Sequence, residues 1–192
     1  METLAELFED MLKDVYYAEK AILKALPKME KSATADDLKA AFAKHRTETE
    51  EQVQRLEAVF GILGKKPQTK KCPATDGLLQ EGEDVMSEAK DPSVRDAGLV
   101  AAAQAVEHYE IARYTALSRW AAVLGMDDAV ELLNETLEQE EATDEALMEL
   151  SETIDGEASG TEDGDEMSGS EDQDEDEEKE KASPAKPRRA RA

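Results

Sequence analysis

The chain has 192 residues, of which 40% are hydrophobic, 4% aromatic and 36% charged, and its formal net charge is -24. Such acidity disfavours binding of the folded part to nucleic acids or anionic membranes, because their phosphate groups repel its surface. The single cysteine, Cys72, excludes an intrachain disulfide and is consistent with a reducing compartment. The sequence shows neither a secretory signal nor an apolar run long enough to span a membrane. We therefore expect a soluble cytoplasmic protein.

Two long helices are predicted in the first third of the chain. In segment 3–31 the apolar residues recur with the 3.6-residue period of an amphipathic helix. Pro27 conflicts mildly with this assignment, because proline inside a helix removes a backbone hydrogen bond. A second helix is expected to begin at Asp36 or Asp37, which suit a helix N-terminus, and to end near Leu63. A short break separates the two helices, so we expect them to pair as a hairpin.

The following segments predict one short and two long helices. Residues 65–75 contain two prolines and a basic cluster and are typical of an irregular connection. Residues 76–90 form a short amphipathic pattern. The third long helix is predicted from Pro92 to about Leu124; because it is apolar almost all round, it is either the most buried helix or also faces a partner subunit. The fourth long helix is predicted over residues 127–152.

These elements predict an all-α, ferritin-like four-helix bundle. Two helical hairpins are joined by a long crossover that carries a short extra helix, and this link is long enough to cross the bundle. Residues 1–152 are assigned to the bundle and hold 33 acidic and 17 basic residues, a net charge of 17 − 33 = -16. Residues 153–192 hold 14 acidic and 6 basic residues and almost no apolar ones. We therefore predict a disordered acidic tail with a basic end. The sequence does not indicate a partner for this tail.

The two hairpins resemble copies of each other. Glu19 and Glu110 lie in similar runs and are separated by 110 − 19 = 91 residues, and the second and fourth long helices start with the same offset. Glu48 and Glu140 are separated by 140 − 48 = 92 residues. An internal repeat of this kind predicts a site with pseudo-twofold symmetry, whose ligands come in matched pairs.

Each of the four long helices carries an ionisable residue inside its apolar stripe. At about 100° per residue, Glu19, His45, Glu110 and Glu140 project toward the expected core from the first to the fourth helix. A buried carboxylate is costly unless it is paired or bound to a cation. Several carboxylates gathered at similar heights would repel one another without such a cation. The pattern therefore predicts a carboxylate-rich metal site in the middle of the bundle.

Two further glutamates lie at spacings that suit shared ligation. His45 and Glu48 are three positions apart, and so are Glu107 and Glu110. Dinuclear bundles use a similar Glu plus Glu-x-x-His pattern, but here the order is reversed on the second helix and the fourth has no histidine. Oxygen ligands with an imidazole favour iron or manganese, in a site of one or two ions, with zinc as a substitute. The alternatives are a solvated or flanking position for Glu48, a flanking position for Glu107, a stripe-edge position that reaches solvent for Glu19, and a structural core role for His45.

The residues also resemble one known family. The YciE/YciF family of ferritin-like proteins is similar over about Leu4 to Leu150, in the runs LKDVYYAEKAILKALPKM, KHRTETEEQVQRLE, AAAQAVEHYEIARY and LLNETLEQEEATDEAL. The resemblance implies a rubrerythrin- or ferritin-type bundle, commonly dimeric, that is associated with stress responses. It also implies candidate metal positions, which are Glu19, His45, Glu48, Glu107, Glu110 and Glu140.

Two functions stay open. The first is a metal-binding protein with iron or manganese in the bundle core, which reacts with oxygen or peroxide or stores metal. The second is a non-enzymatic structural or interaction protein of stress physiology, in which the buried acids form only a polar network. A homodimer is expected as the assembly. The sequence shows no nucleophile elbow, phosphate loop or dinucleotide fingerprint that would support a hydrolase or a nucleotide enzyme.

Overall fold

The computed structural model describes residues 1–160, and these residues form five α-helices. They are α1 (Leu4–Ser32), α2 (Asp36–Ile62), α3 (Pro73–Glu88), α4 (Pro92–Val123) and α5 (Asp127–Ser159). No strand occurs within this part of the chain, which confirms the predicted all-α fold. None of the five helices combines the length and the hydropathy that a membrane span requires.

Two helix ends differ from the sequence prediction. α3 begins at Pro73 rather than at Asp76, because proline is well suited to the first helical position. α5 continues past Glu152 to Ser159. The extra turns bury the side chain of Ile154 in the core, and this apolar contact explains why the helix extends into the segment that composition assigned to the tail. The remainder of the predicted acidic tail, from residue 161 onward, lies outside the described residues.

The core of the bundle consists of two apolar clusters, one toward each end. Each long helix contributes to both of them: Leu26, Phe42, Leu99 and Leu147 lie in one cluster, and Leu12, Phe60, Leu117 and Leu133 lie in the other. The order of these residues along the chain makes each long helix antiparallel to both of its neighbours. The two predicted hairpins are thus present, and the middle of each helix is left to face the centre of the bundle.

The connection between the hairpins runs the length of the bundle. α2 ends near Phe60 in one cluster, whereas α4 begins near Leu99 in the other, so the chain must return along the bundle between them. The ammonium group of Lys70 ties this connection to α1 through Asp10 at 2.7 Å and Asp14 at 3.3 Å. The single predicted crossover of a ferritin-like bundle is therefore confirmed.

α3 lies along the crossover and covers a second apolar face of α4. A Cβ atom at Gly98 of α4 would lie only 2.7 Å from Val85 of α3, so the absence of a side chain allows close helix packing. Gly82 of α3 similarly lies against Ala102 of α4. This contact accounts for the apolar residues that surround α4, because the helix is packed against α3 as well as against the other long helices.

Asp96 on α4 supplies the N-terminal cap that α2 does not supply for itself. The N-cap residue of α2 is Ala35, whose side chain cannot accept a hydrogen bond. The buried carboxylate of Asp96 instead accepts hydrogen bonds from the backbone N–H groups of Thr34 at 2.9 Å and Ala35 at 2.7 Å. The same contact joins the two hairpins at one end of the bundle.

The Asp96→Ala variant is expected to lower the free energy of unfolding by about 1–3 kcal/mol, because two backbone donors lose a charged acceptor. Urea unfolding followed by circular dichroism measures this loss. The control is Asp36→Ala, which removes an exposed carboxylate from the first turn of α2 and is expected to change stability by less than about 1 kcal/mol. An equally small effect of both substitutions would contradict the capping role.

Candidate metal centre

A layer of buried polar side chains lies between the two apolar clusters. Each long helix contributes to this layer from the middle of its length. Its members are Glu19, His45, Thr49, Gln52, Glu107, Glu110, Thr136, Glu140 and Thr143. The structure thus buries the ionisable residue that the sequence predicted for each of the four helices.

Four members of the layer form a compact group. His45, Glu107, Glu110 and Glu140 each offer one ligand atom, and these atoms all lie within 4.8 Å of one another. Nε2 of His45 lies 3.3 Å from a carboxylate oxygen of Glu107, and both side chains are buried. Glu107 is only 2% exposed and lies within this compact group. We call these four residues the central group.

Most ligand atoms of the central group lack a hydrogen-bond partner. Both ring nitrogens of His45, both carboxylate oxygens of Glu110 and Glu140, and Oε2 of Glu107 are buried without one. A buried polar atom without a partner costs about 1–3 kcal/mol, so this concentration of unpaired atoms is unfavourable in a core made of protein alone. A cation bound by the same atoms would remove that cost. Three carboxylates and one imidazole are also a donor set that manganese, iron and zinc accept.

Burial and mutual repulsion oppose ionisation of the central carboxyl groups. Desolvation, followed by repulsion from neighbouring carboxylates, raises the pKa of Glu107 and Glu110 well above the ordinary 4.5. Desolvation raises the pKa of Glu140 to about 7. Burial lowers the pKa of His45 to about 4, so its imidazole is neutral at physiological pH and has a nitrogen lone pair to offer. A bound cation would favour the ionised carboxylates.

Glu19 lies in the same buried layer but is not a member of the central group. Its carboxylate accepts a hydrogen bond from the buried hydroxyl of Tyr114, and its Oε2 has no partner. Burial, followed by repulsion from Glu140, raises the pKa of Glu19 well above 4.5. The sequence did not identify Tyr114 as a partner of Glu19, because helical periodicity carries no information about two side chains that are 95 positions apart.

Glu48 lies at the rim of the buried layer. Its side chain is 18% exposed, and its Oε1 forms an ion pair with Lys44 at 3.0 Å. Its Oε2 is buried without a hydrogen-bond partner. After burial, repulsion from Glu48 is the main cause that raises the pKa of Glu140. The structure therefore places five of the six predicted residues inside the layer and Glu48 at its edge.

A small apolar cavity adjoins the central group. Its volume is about 20 Å³, which suffices for about one water-sized molecule. The polar residues that line it are His45, Glu107 and Thr143. Its walls are otherwise apolar and include Ile22, Leu26, Phe42, Leu79, Val106 and Leu147. The cavity therefore provides a small apolar space beside two central residues.

The chain is similar to a protein family and to a relative from Escherichia coli. Residues 3–159 match the family described as "Domain of unknown function (DUF892)". Protein YciF from Escherichia coli (strain K12) is 42% identical over 151 residues, which cover 78% of this chain and 91% of YciF.

Solved structures of similar proteins share the fold. The crystal structure of the E. coli stress protein YciF has a TM-score of 0.78 and 40% identity, over 81% of this chain and 99% of that one. YcfI from Rhodopseudomonas palustris has a TM-score of 0.75 and 48% identity, over 76% and 93% of the two chains. A protein from Xanthomonas campestris has a TM-score of 0.63 and 25% identity, over 79% and 92%. The chain therefore belongs to the DUF892 family, the family of YciF.

Proposed function

We propose that this protein binds a redox-active metal ion, iron or manganese, in the core of its bundle, and that zinc can substitute. The observation that carries this proposal is the central group, whose four ligand atoms lie within 4.8 Å of one another. Most of these ligand atoms have no hydrogen-bond partner in the protein. Repulsion between the carboxylates and the cost of unpaired polar atoms would both be relieved by a cation at this point.

The surrounding residues support this function in distinct ways. The two apolar clusters on either side exclude water from the polar layer, which strengthens the attraction between the carboxylates and a cation. His45 is neutral at physiological pH, so ligation by this residue requires no loss of a proton. A bound iron or manganese ion would supply redox chemistry toward oxygen or peroxide. The small cavity beside His45 and Glu107 would place a small molecule of this kind next to two of the ligand residues.

A role in the response to stress is part of the proposal. YciF of E. coli is described as a stress protein, and it shares 42% of its residues with this chain over the matched region. A bundle that holds a redox-active metal between two buried apolar clusters would suit the removal of oxidants or the sequestration of metal during stress.

Metal content after anaerobic loading tests the proposal. Protein that has been stripped with a chelator, incubated with Fe(II) or Mn(II) without oxygen and then desalted is expected to retain near-stoichiometric metal by elemental analysis. The Glu110→Ala variant is expected to retain almost none, because a central ligand is lost. The control Glu141→Ala alters an exposed acid on α5 and is expected to behave like the unaltered protein. Equal metal contents in the unaltered protein and Glu110→Ala would leave the structural alternative as the better explanation.

A further inference from the structure

The buried positions of the two hairpins coincide when the residue numbers are shifted by 91. In α2 and α5, the buried residues His45, Thr49 and Gln52 correspond to the buried residues Thr136, Glu140 and Thr143. In α1 and α4, the buried residues Tyr16 and Glu19 correspond to the buried residues Glu107 and Glu110. Burial therefore pairs Glu140 with Thr49, one position away from the Glu48 that the offset of 92 suggested.

We infer that the bundle binds a single metal ion per chain, because the half of the repeat that would hold a second ion lacks the matching ligand residues. This inference rests on the proposed function and specifies the number of ions that the site takes. A pseudo-twofold bundle with two ions needs a ligand set in each half. The two halves of this protein differ at three of four positions.

The ligand residues of the central group have non-ligating counterparts. Applying the offset of 91 to His45, Glu107, Glu110 and Glu140 gives Thr136, Tyr16, Glu19 and Thr49. An imidazole is replaced by a hydroxyl, and two of the three carboxylates are replaced by a hydroxyl and a phenol. Glu19 is the one carboxylate of this second set. One carboxylate with uncharged hydroxyl neighbours lacks the charge that holds a divalent cation against desolvation.

The two threonines of the second set use their hydroxyl groups within their own helices. Oγ1 of Thr49 donates a hydrogen bond to the backbone carbonyl of His45 at 2.8 Å. Oγ1 of Thr136 donates to the backbone carbonyl of Leu132 at 3.4 Å. These hydroxyl groups are therefore directed to the backbone of the preceding turn.

The other two members of the second set are held by side chains. The phenol of Tyr16 donates a hydrogen bond to Glu57 at 2.8 Å and is thus directed away from the layer, toward an exposed carboxylate. Glu19 accepts the hydrogen bond of Tyr114 and retains one free oxygen. The second set thus offers one free carboxylate oxygen of its own, whereas a divalent cation takes four or more ligands.

A fixed positive charge lies beside the second half. Nη1 of Arg55 is 3.5 Å from the hydroxyl of Thr136, the counterpart of His45, and 2.8 Å from the side-chain oxygen of Gln139. The guanidinium group, which also pairs with Glu51 and Glu135, thus lies against the counterpart of a central ligand residue.

Metal titration of the full chain tests this inference. Metal-free protein titrated with Mn(II) is expected to bind about one equivalent per chain by calorimetry and elemental analysis. Electron paramagnetic resonance is expected to show the hyperfine pattern of an isolated Mn(II) ion at every loading. Two bound equivalents, or the spectrum of two interacting Mn(II) ions, would overturn this inference and leave the proposed function intact. No bound metal would overturn both.

A matched pair of variants tests the two halves of the internal repeat separately for their role in metal binding. Glu19→Gln and Glu110→Gln make the same change at corresponding, fully buried positions. Glu110→Gln is expected to weaken Mn(II) binding more than about 100-fold, whereas Glu19→Gln is expected to keep one equivalent and to change affinity less than about 10-fold. Circular dichroism verifies that both variants fold. Loss of metal from both variants to the same extent would overturn the inference, because Glu19 would then be a ligand.

Discussion

Replacing Glu110 with Gln is expected to stabilise the metal-free protein at alkaline pH and to abolish the stabilisation that metal provides. Glu110 is completely buried, and both of its carboxylate oxygens lack a hydrogen-bond partner. Burial and three neighbouring glutamates raise its pKa well above 4.5. Glutamine has the shape of the protonated acid but cannot ionise, so above that pKa the variant avoids the cost of a buried charge.

The expected gain for the metal-free Glu110→Gln variant is about 1–3 kcal/mol at alkaline pH, within the range seen when buried charges are replaced by neutral groups. At pH values below 4.5, where the carboxyl group is protonated in both the folded and the unfolded state, the variant and the unaltered protein are expected to be equally stable. Urea unfolding followed by circular dichroism, in the presence of a chelator, measures both differences.

Added metal is expected to favour the unaltered protein over the variant in stability. Mn(II) at about 100 times its dissociation constant stabilises a protein by about 2.7 kcal/mol if only the folded state binds it. The unaltered protein is expected to show this increase, and Glu110→Gln is expected to show almost none. Glu141→Gln, at an exposed position of α5, serves as the control and should respond to metal normally. A Glu110→Gln variant that is less stable without metal, yet still stabilised by metal, would show that Glu110 has a structural role only.

The stability of the metal-free protein is expected to fall as the pH rises above 6.5. A carboxyl group whose pKa is raised in the folded state retains a proton that the unfolded chain has already released near pH 4.5, so its contribution to stability is complete below 4.5 and is lost as the pH passes its folded pKa. Glu140, whose pKa is raised to about 7, and Glu107 and Glu110, whose pKa values are raised well above 4.5, all act in this direction.

His45 contributes to the pH dependence of stability with the opposite sign, and it does so at lower pH. Its pKa is lowered from 6.5 to about 4, so its contribution is complete above pH 6.5 and is lost as the pH falls through 4. Between pH 4.5 and 6.5 the contributions of His45 and of the carboxyl groups to stability oppose each other. Above pH 6.5 the contribution of His45 no longer changes. For each proton that the folded state retains and the unfolded state has released, the free energy of unfolding falls by about 1.4 kcal/mol per pH unit.

Saturating Mn(II) is expected to reverse this trend, because metal binds the ionised carboxylates and competes with protons. Thermal unfolding at a series of pH values, with chelator and with Mn(II), measures the two slopes. The metal-loaded sample serves as the control for general charge repulsion, which acts on both. Parallel slopes in the two samples would contradict the assignment of the buried carboxylates to a metal site.

Local sequence signals were sufficient to predict most of the secondary structure. The apolar period predicted each long helix, and the same period identified Glu19, His45, Glu110 and Glu140 as inward-facing, although Leu12 of α1 is buried without having been predicted. Helix periodicity is informative here because every long helix buries one face. The end of α5 was predicted too early, since the contact of Ile154 with the opposite hairpin depends on residues far away in the chain.

The relative heights of side chains within the bundle were decided by the tertiary structure. Periodicity gives the direction in which a side chain points but not the level at which two helices meet, so it could not separate the central group from Glu19 and Glu48. Those levels follow from the packing of Gly98 against Val85, the cap from Asp96 and the two apolar clusters.

The sequence by itself thus determined the all-α fold, its hairpin order and a set of buried acids, because each of these depends on local periodicity and connection length. Only the tertiary structure showed that Tyr114 bonds Glu19, that Arg55 lies beside Thr136, and that four ligand atoms converge within 4.8 Å. These contacts join residues from different helices, and their distances are set by packing across the core rather than by the order of residues in any one helix.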